Sequence, residues 1–549
     1  MATDTVRRVI EGRSIRWDQA RADDAYAQGH WVRETLVEAL DRAARTPARP
    51  LIIDGEISLS GAVLKDRVTR LASRLVERFP RGSVISFMLP NWHEAAIIYL
   101  ATTVAGMVVH PILPSLRAHE LRFMLEDVGS RIIFIPAELR GHDYVAMMER
   151  VRTDLTTPLD VVVVRGPAQN HSAFESLLHI GPRVTMPQVE ADAVRLILYT
   201  SGTTGAPKGV MHTHNSIHAL VRQIGEHWRV APGDTFLVPS PISHIGGSIY
   251  AFEAPLLLGS TAVLMDRWDA TAGLELMVRH RCTHMAGATP FLEQLLQAAR
   301  HADEHLPALK VFICGGASVP PSLIREASAW FDQAGVTRVY GSTEVPVTTI
   351  GAPARETLND AAETDGRAGI ADIRLIDDAE NEAPAGEVRA RGPQMLVGYL
   401  HPADEATVFD DQGYYRTGDL GRWANGDCLV ISGRAKDIII RKGENIAPKE
   451  IEDVLVTHPW IGEVAVVGVP DAASGERACA VIVPMPSDNS QTSLQPDVPA
   501  LAAFLRAAGL ASFKAPEQVA VWTALPKNEA GKVLKHVIRQ ELIQAEGRP

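Results

Sequence analysis

Residues 84–113 read VISFMLPNWHEAAIIYLATTVAGMVVHPIL, and this stretch decides the class of fold. Residues 84–89 form an apolar run of strand length that stops at Pro90-Asn91. Residues 93–104 read as a buried helix, and residues 108–113 as a second apolar strand. A buried strand, a helix and another buried strand make up the unit of a parallel sheet covered on both faces. The apolar stretch 95–109 falls short of the roughly 20 residues that a membrane helix needs. It also holds Gly106 and runs into His110-Pro111.

The same alternation continues outward. Residues 120–127 read as a helix, 132–135 as a strand, and 161–164, four valines in a row, as a strand buried on both faces. The expectation is a layered α/β domain with mostly parallel sheets over residues 1–432, its ligands beyond the carboxyl ends of the strands. A second unit starts near Gly433. Residues 450–455 follow Pro448 at a helix start, 464–469 and 478–483 read as strands, 498–507 as a helix and 519–523 as a short strand. That predicts a small α+β domain over 438–549. The charged, glycine-containing join 433–437 reads as a hinge. The polar, proline-rich stretch 485–499 reads as a solvated loop.

Composition narrows the function classes. The 549 residues carry 54 Lys plus Arg against 66 Asp plus Glu, a net charge of −12, which disfavours a nucleic-acid or anionic-membrane partner. Any anionic ligand must be met by local positive groups. Cys282, Cys314, Cys428 and Cys479 lie far apart without a CxxC pair, so neither a zinc knuckle nor a disulfide framework is implied. The N-terminal MATDTVRRVIEGRS has no apolar core of a signal peptide. A cytoplasmic protein without a membrane span is expected.

The chemistry is written in Tyr199-Thr200-Ser201-Gly202-Thr203-Thr204-Gly205-Ala206-Pro207-Lys208-Gly209, which follows the apolar run 194–199 and precedes a helical pattern. A loop of Thr, Ser and Gly after a buried strand offers hydroxyls and free backbone N–H groups to phosphate oxygens, and a lysine adds charge. Pro207 and Gly209 flank Lys208, so this is not a Walker A loop.

The order of this string resembles the phosphate loop of the adenylate-forming superfamily: acyl- and aryl-CoA synthetases, luciferases and the adenylation domains of peptide synthetases. Further matching segments follow in the same order. They are Pro241-Ile242-Ser243-His244, Gly315-Gly316-Ala317, Tyr340-Gly341-Ser342-Thr343-Glu344, Tyr415-Arg416-Thr417-Gly418-Asp419, Ser432-Gly433-Arg434-Ala435-Lys436-Asp437, Lys442-Gly443-Glu444-Asn445-Ile446 and Pro526-Lys527-Asn528-Glu529-Ala530-Gly531-Lys532. The resemblance spans residues 30 to 540 and is closest to fatty and alicyclic acyl-CoA synthetases.

The resemblance implies ATP, Mg²⁺ and coenzyme A. It gives Thr200 and Glu344 to the metal, and Ser201, Gly202, Thr203, Thr204, Gly205 and Lys208 to the phosphates. Gly315, Gly316, Ala317, Tyr340 and Gly341 would surround adenine, Thr343 the α-phosphate, and Asp419 with Arg434 the ribose. Lys532 would clamp the carboxylate and α-phosphate as charge builds between them. Lys442 joins the catalytic set, and Lys436 marks the hinge of the small domain. His244, Gly246, Gly247, Ser248 and Gly351 would line the acyl pocket, with Arg441, Gly443 and Glu444 on the CoA side. The glycines leave volume, so a bulky apolar acid is expected: alicyclic, polycyclic, aryl or medium-chain fatty.

The alternatives are a stand-alone enzyme that loads a separate carrier protein, a luciferase-like oxygenase and a non-catalytic nucleotide-binding homologue. The last would show erosion of Glu344, Asp419, Arg434 or Lys532, and none is eroded. The sequence ends soon after Lys532, where a peptide-synthetase module continues into a carrier domain; a homodimer is left open. Asn528 stands where the family often has Thr or Ser, and Tyr415 where Trp is common. His212-Thr213-His214 and His280-Arg281-Cys282-Thr283-His284 have ligand-like spacing but no fourth ligand nearby.

Overall fold

The computed structural model describes residues 6–46, 49–179, 181, 184–200, 207–316, 319–441, 444–471, 474–485, 496–527 and 531–546. The strand–helix–strand unit is there: Val84–Phe87, the helix His93–Val104, and Val108–Pro111, paired in parallel. The second strand stops at Pro111, two residues before the apolar run does.

Among the described residues two seven-stranded sheets dominate. The first runs in the order Ser172–Ala173, Asp160–Val164, Ser130–Pro136, Val84–Phe87, Val108–Pro111, Val194–Thr200, Lys208–Thr213. It is parallel except for the last pair, a hairpin. The second has the order Gly335–Val339, Val311–Gly315, His284–Gly287, Thr235–Val238, Thr261–Leu264, Pro50–Asp54, Ile57–Ser60, again antiparallel only at its final pair.

The period of two along each strand sorts side chains into cores. Phe134, Val162, Phe236 and Ile313 point into one shared core between the sheets. Their neighbours face outward, Ile133 and Val163 into one outer core and Leu237 and Phe312 into another. Every residue of His93–Val104 is buried, because this helix lies in the shared core and needs no polar face. Helix His214–His227 contributes Ile217, Leu220, Val221 and Ile224 to the same core.

A four-stranded antiparallel sheet follows: Asp372–Ile376, Ala385–Arg391, Tyr415–Ala424 and Cys428–Arg434. From Ile439 onward the chain builds cores of its own. Strands Ile461–Asp471 and Gly475–Pro484 pair antiparallel, and Gln518–Val521 joins the latter in parallel. Val466 and Ile482 pack towards helices Pro448–Leu455 and Val498–Ala507, whereas Val467 and Val481 pack towards helix Lys535–Glu546. The stretch 485–499, read as a loop, lies largely outside the described residues.

Candidate active site

Thr200 ends the strand Val194–Thr200, and the hairpin returns at Lys208 directly opposite it. Ser201, Gly202, Thr203, Thr204 and Gly205 lie outside the described residues, as do Ala317, Lys442 and Gly443. The Lys208 ammonium stands 3.7 Å from Asp404 and 5.4 Å from the centre of the Tyr399 ring.

The parallel register of Val311–Gly315 with Gly335–Val339 sets Gly315 opposite Val339, so the Gly315-Gly316 turn and the Tyr340 loop leave the sheet side by side. The loop closes on itself. Tyr340 N donates to Thr349 Oγ1 (2.8 Å), Thr349 N to Tyr340 O (3.0 Å), and Val345 N to Ser342 Oγ (3.2 Å). Gly341 is needed here for close approach, since a Cβ would lie 2.6 Å from Val347 N. Behind the loop, the buried His212 donates from Nε2 to the Thr343 carbonyl at 2.8 Å. Burial lowers its pKa to about 4, so the ring is neutral and Nδ1 accepts from Ser216 Oγ at 3.2 Å.

Two sheets and a loop thus meet at Glu344. Its Oε1 accepts from Thr200 Oγ1 at 3.4 Å and from the Tyr399 phenol at 3.0 Å, with Tyr415 3.2 Å beyond. A hard divalent cation would find its oxygen ligands here, in the Thr200 hydroxyl and the Glu344 carboxylate.

Asp419 and Arg434 are opposite residues of one antiparallel pair. Asp419 Oδ2 accepts from the Tyr340 phenol (2.6 Å) and Oδ1 faces Arg434 Nε (3.0 Å). Burial and then the Asp419 charge push the Tyr340 phenol well above its ordinary value. Lys532, far along the chain, is drawn to this same cluster. Its pKa is lowered, first by burial and then by the Arg434 charge, while Asp419 opposes the shift. Gly531 sits against residues 288–290, a Cβ there lying 3.6 Å from Pro290 Cγ and 3.9 Å from Ala288 Cβ.

The acyl and CoA candidates are sorted less evenly. His244 leads into the helix Ile245–Ser248; its Nε2 is buried without a hydrogen-bond partner among the described residues, and burial lowers its pKa. Gly246 is exposed, and a Cβ there would meet nothing within 4 Å. At Gly247 it would lie 2.1 Å from Pro241 O, at Gly315 3.0 Å from Val339, and at Gly351 2.5 Å from Thr337 Oγ1. Of the five glycines expected to leave volume, Gly246 and Gly316 have open space beside them, Gly316 with a φ of +84°, whereas Gly247, Gly315 and Gly351 are pressed by backbone or side chains. Ser248 is buried and bonds back to Ile245 O. Arg441 donates to Glu517 (2.6 Å) and to the Phe513 carbonyl (2.8 Å), and Glu444 is exposed. Lys436 is exposed in the short turn Ala435–Asp437.

The sequence reading missed His212 and Tyr399. The ligand-like spacing of His212 has no fourth ligand nearby in the sequence, and its ring buttresses a carbonyl instead. Tyr399 carries no local signal at all. It reaches Glu344 because residues 397–400 pair with the strand Lys208–Thr213. The second histidine cluster behaves likewise, His284 meeting the Trp228 carbonyl at 3.0 Å and stacking on Phe236.

Residues 40–400 match the family model of the AMP-binding enzyme, and residues 450–532 that of the AMP-binding enzyme C-terminal domain. The chain belongs to this family, the adenylate-forming superfamily, and is an enzyme of the acid–thiol ligase class. Among its relatives is the medium-chain fatty-acid–CoA ligase of Escherichia coli K12, 34% identical over 96% of this chain and 94% of the relative. The 3-[(3aS,4S,7aS)-7a-methyl-1,5-dioxo-octahydro-1H-inden-4-yl]propanoyl:CoA ligase of Rhodococcus jostii RHA1 is 30% identical over 92% and 98%. The structure of ATP-bound MatB from Rhodopseudomonas palustris superposes with a TM-score of 0.83 at 27% identity, covering 94% of this chain and 100% of that one.

Proposed function

We propose that this enzyme converts a bulky apolar carboxylic acid to its acyl-CoA in two steps, with AMP and pyrophosphate as the other products. The observation that carries the reading is the convergence of Thr200, Glu344, Asp419, Arg434 and Lys532, drawn from two sheets, a loop and the C-terminal unit. In the first step a carboxylate oxygen attacks the α-phosphorus of ATP and the bond to pyrophosphate breaks. Positioning and charge neutralisation dominate such a transfer. The Asp419 carboxylate is an acceptor for ribose hydroxyls, the Tyr340 loop borders adenine, and Lys532 brings positive charge between carboxylate and α-phosphate. Thr200 and Glu344 would hold Mg²⁺, which neutralises phosphate charge when bound. In the second step the CoA sulfur attacks the acyl carbon and AMP leaves.

The chain divides, in this reading, into residues 1–432, a hinge at 433–437 about Lys436, and a mobile unit 438–549. The separate hydrophobic cores beyond Ile439 support that division. The open space at Gly246, the unpartnered Nε2 of His244 and the two relatives named for a medium-chain fatty acid and a fused-ring propanoate support a medium-chain, alicyclic, polycyclic or aryl acid. Four buried cysteines, far apart in sequence, suit a reducing cytoplasm, and no helix among the described residues is long and apolar enough to cross a membrane.

A pyrophosphate-release screen over a panel of acids, followed by mass spectrometry of the CoA products, tests the proposal. The 2,3-dihydroxybenzoate-AMP ligase of Bacillus subtilis 168, 30% identical, is named for an acyl-AMP and not an acyl-CoA, which favours a second reading: an enzyme that makes the adenylate for a separate carrier protein. Acyl-adenylate that accumulates with CoA present and disappears only on adding a carrier would establish that reading instead.

A further inference from the structure

Glu344 is clamped from the same side by backbone and side chain. Leu396 N donates to its carbonyl at 2.7 Å, and three residues later the Tyr399 phenol donates to Oε1 at 3.0 Å. Tyr399 is 2% exposed and Tyr415 8%. A carboxylate can only accept, so the Tyr399 phenol donates to Glu344, and the Tyr415 hydroxyl stands 3.2 Å behind the Tyr399 oxygen.

The backbone under Tyr399 is latched to the phosphate hairpin. Val397 N donates to Met211 O (3.0 Å), Met211 N to Gly398 O (3.0 Å) and Leu400 N to Gly209 O (2.8 Å). Its amide also donates to Glu405 Oε1 at 3.0 Å. The segment 396–400 therefore ties the loop that carries Glu344 to the hairpin that carries Thr200 and Lys208.

We infer that Tyr399 is the positioning residue of the metal-binding carboxylate: its phenol holds Glu344 against Thr200, and Tyr415 packs behind it within hydrogen-bond reach. The inference rests on the reading of Glu344 as a metal ligand. A buried hydroxyl bonded to a charged group is worth enough that its loss weakens metal binding roughly tenfold or more.

The test uses Mn²⁺ as the probe, its free concentration followed by electron paramagnetic resonance in the presence of a saturating non-hydrolysable ATP analogue. Tyr399→Phe keeps the ring beneath Lys208 and removes only the hydroxyl. It should weaken Mn²⁺ binding by that factor and leave analogue affinity in EDTA unchanged. Tyr415→Phe should move Mn²⁺ binding the same way by less, and it carries the test by itself if Tyr399→Phe melts early. Wild-type Mn²⁺ affinity in Tyr399→Phe beside a loss in Glu344→Gln overturns the positioning role. An equal loss of analogue binding without metal overturns it too, since that marks general disruption. Unchanged Mn²⁺ affinity in Glu344→Gln removes the metal reading beneath it.

Discussion

Replacing Gly246 with Leu tests the acyl pocket where the structure leaves room for a side chain. The Cβ meets nothing within 4 Å, and the residue lies in the helix Ile245–Ser248, where Leu is favoured over Gly by about 0.8 kcal/mol. Folding should survive. The three carbons beyond Cβ would occupy space for about three acyl methylenes, each worth about 0.8 kcal/mol, or roughly 2–3 kcal/mol in all. That is a loss of about 30- to 150-fold in kcat/KM for medium-chain and ring-bearing acids, with acetate and butyrate spared. Pyrophosphate release over an acid series measures it. Gly247→Ala is the contrasting variant: its Cβ would come within 2.1 Å of Pro241 O, so every acid should suffer and the fold with it. Equal loss for all acids in Gly246→Leu, or acetate as the best substrate of the unaltered enzyme, would refute the placement of the pocket.

Lys532→Ala should abolish acyl-adenylate formation in a rapid-quench assay while leaving thioester formation from supplied acyl-adenylate largely intact; equal loss in both half-reactions would contradict it. Because burial depresses the Lys532 pKa, the adenylation rate should fall on the alkaline side before an ordinary lysine titrates, as the catalytic ammonium is lost. Glu253 and Arg195 form a buried ion pair at 2.5 Å, with Tyr99 donating to Glu253 at 2.6 Å, so Glu253→Gln should cost about 3–5 kcal/mol in urea unfolding. Burial alone would raise the Asp54 pKa, but His93 and Arg165 hold it below its usual 3.8. The stabilisation is therefore complete above pH 4 to 5 and lost as pH falls through the lower folded value, and acid melts of Asp54→Asn should lack that segment.

The class of fold was legible in residues 84–113 because apolar periodicity is local: a strand buried on both faces and a helix without a polar side announce their layers. The ordered segments named Thr200, Tyr340, Glu344, Asp419, Arg434 and Lys532, and the match to the AMP-binding enzyme family identifies the superfamily they came from. The pairing of residues 397–400 with Lys208–Thr213 was not legible, so neither was the contact of Tyr399 with Glu344. Nor could sequence tell Gly246, which faces open space, from Gly247, which is pressed against a carbonyl one residue later. Residue types and local order state which groups chemistry requires. Which of them touch depends on hydrogen bonds between segments some two hundred residues apart, and on volumes that exist only once both sheets have closed on their shared core.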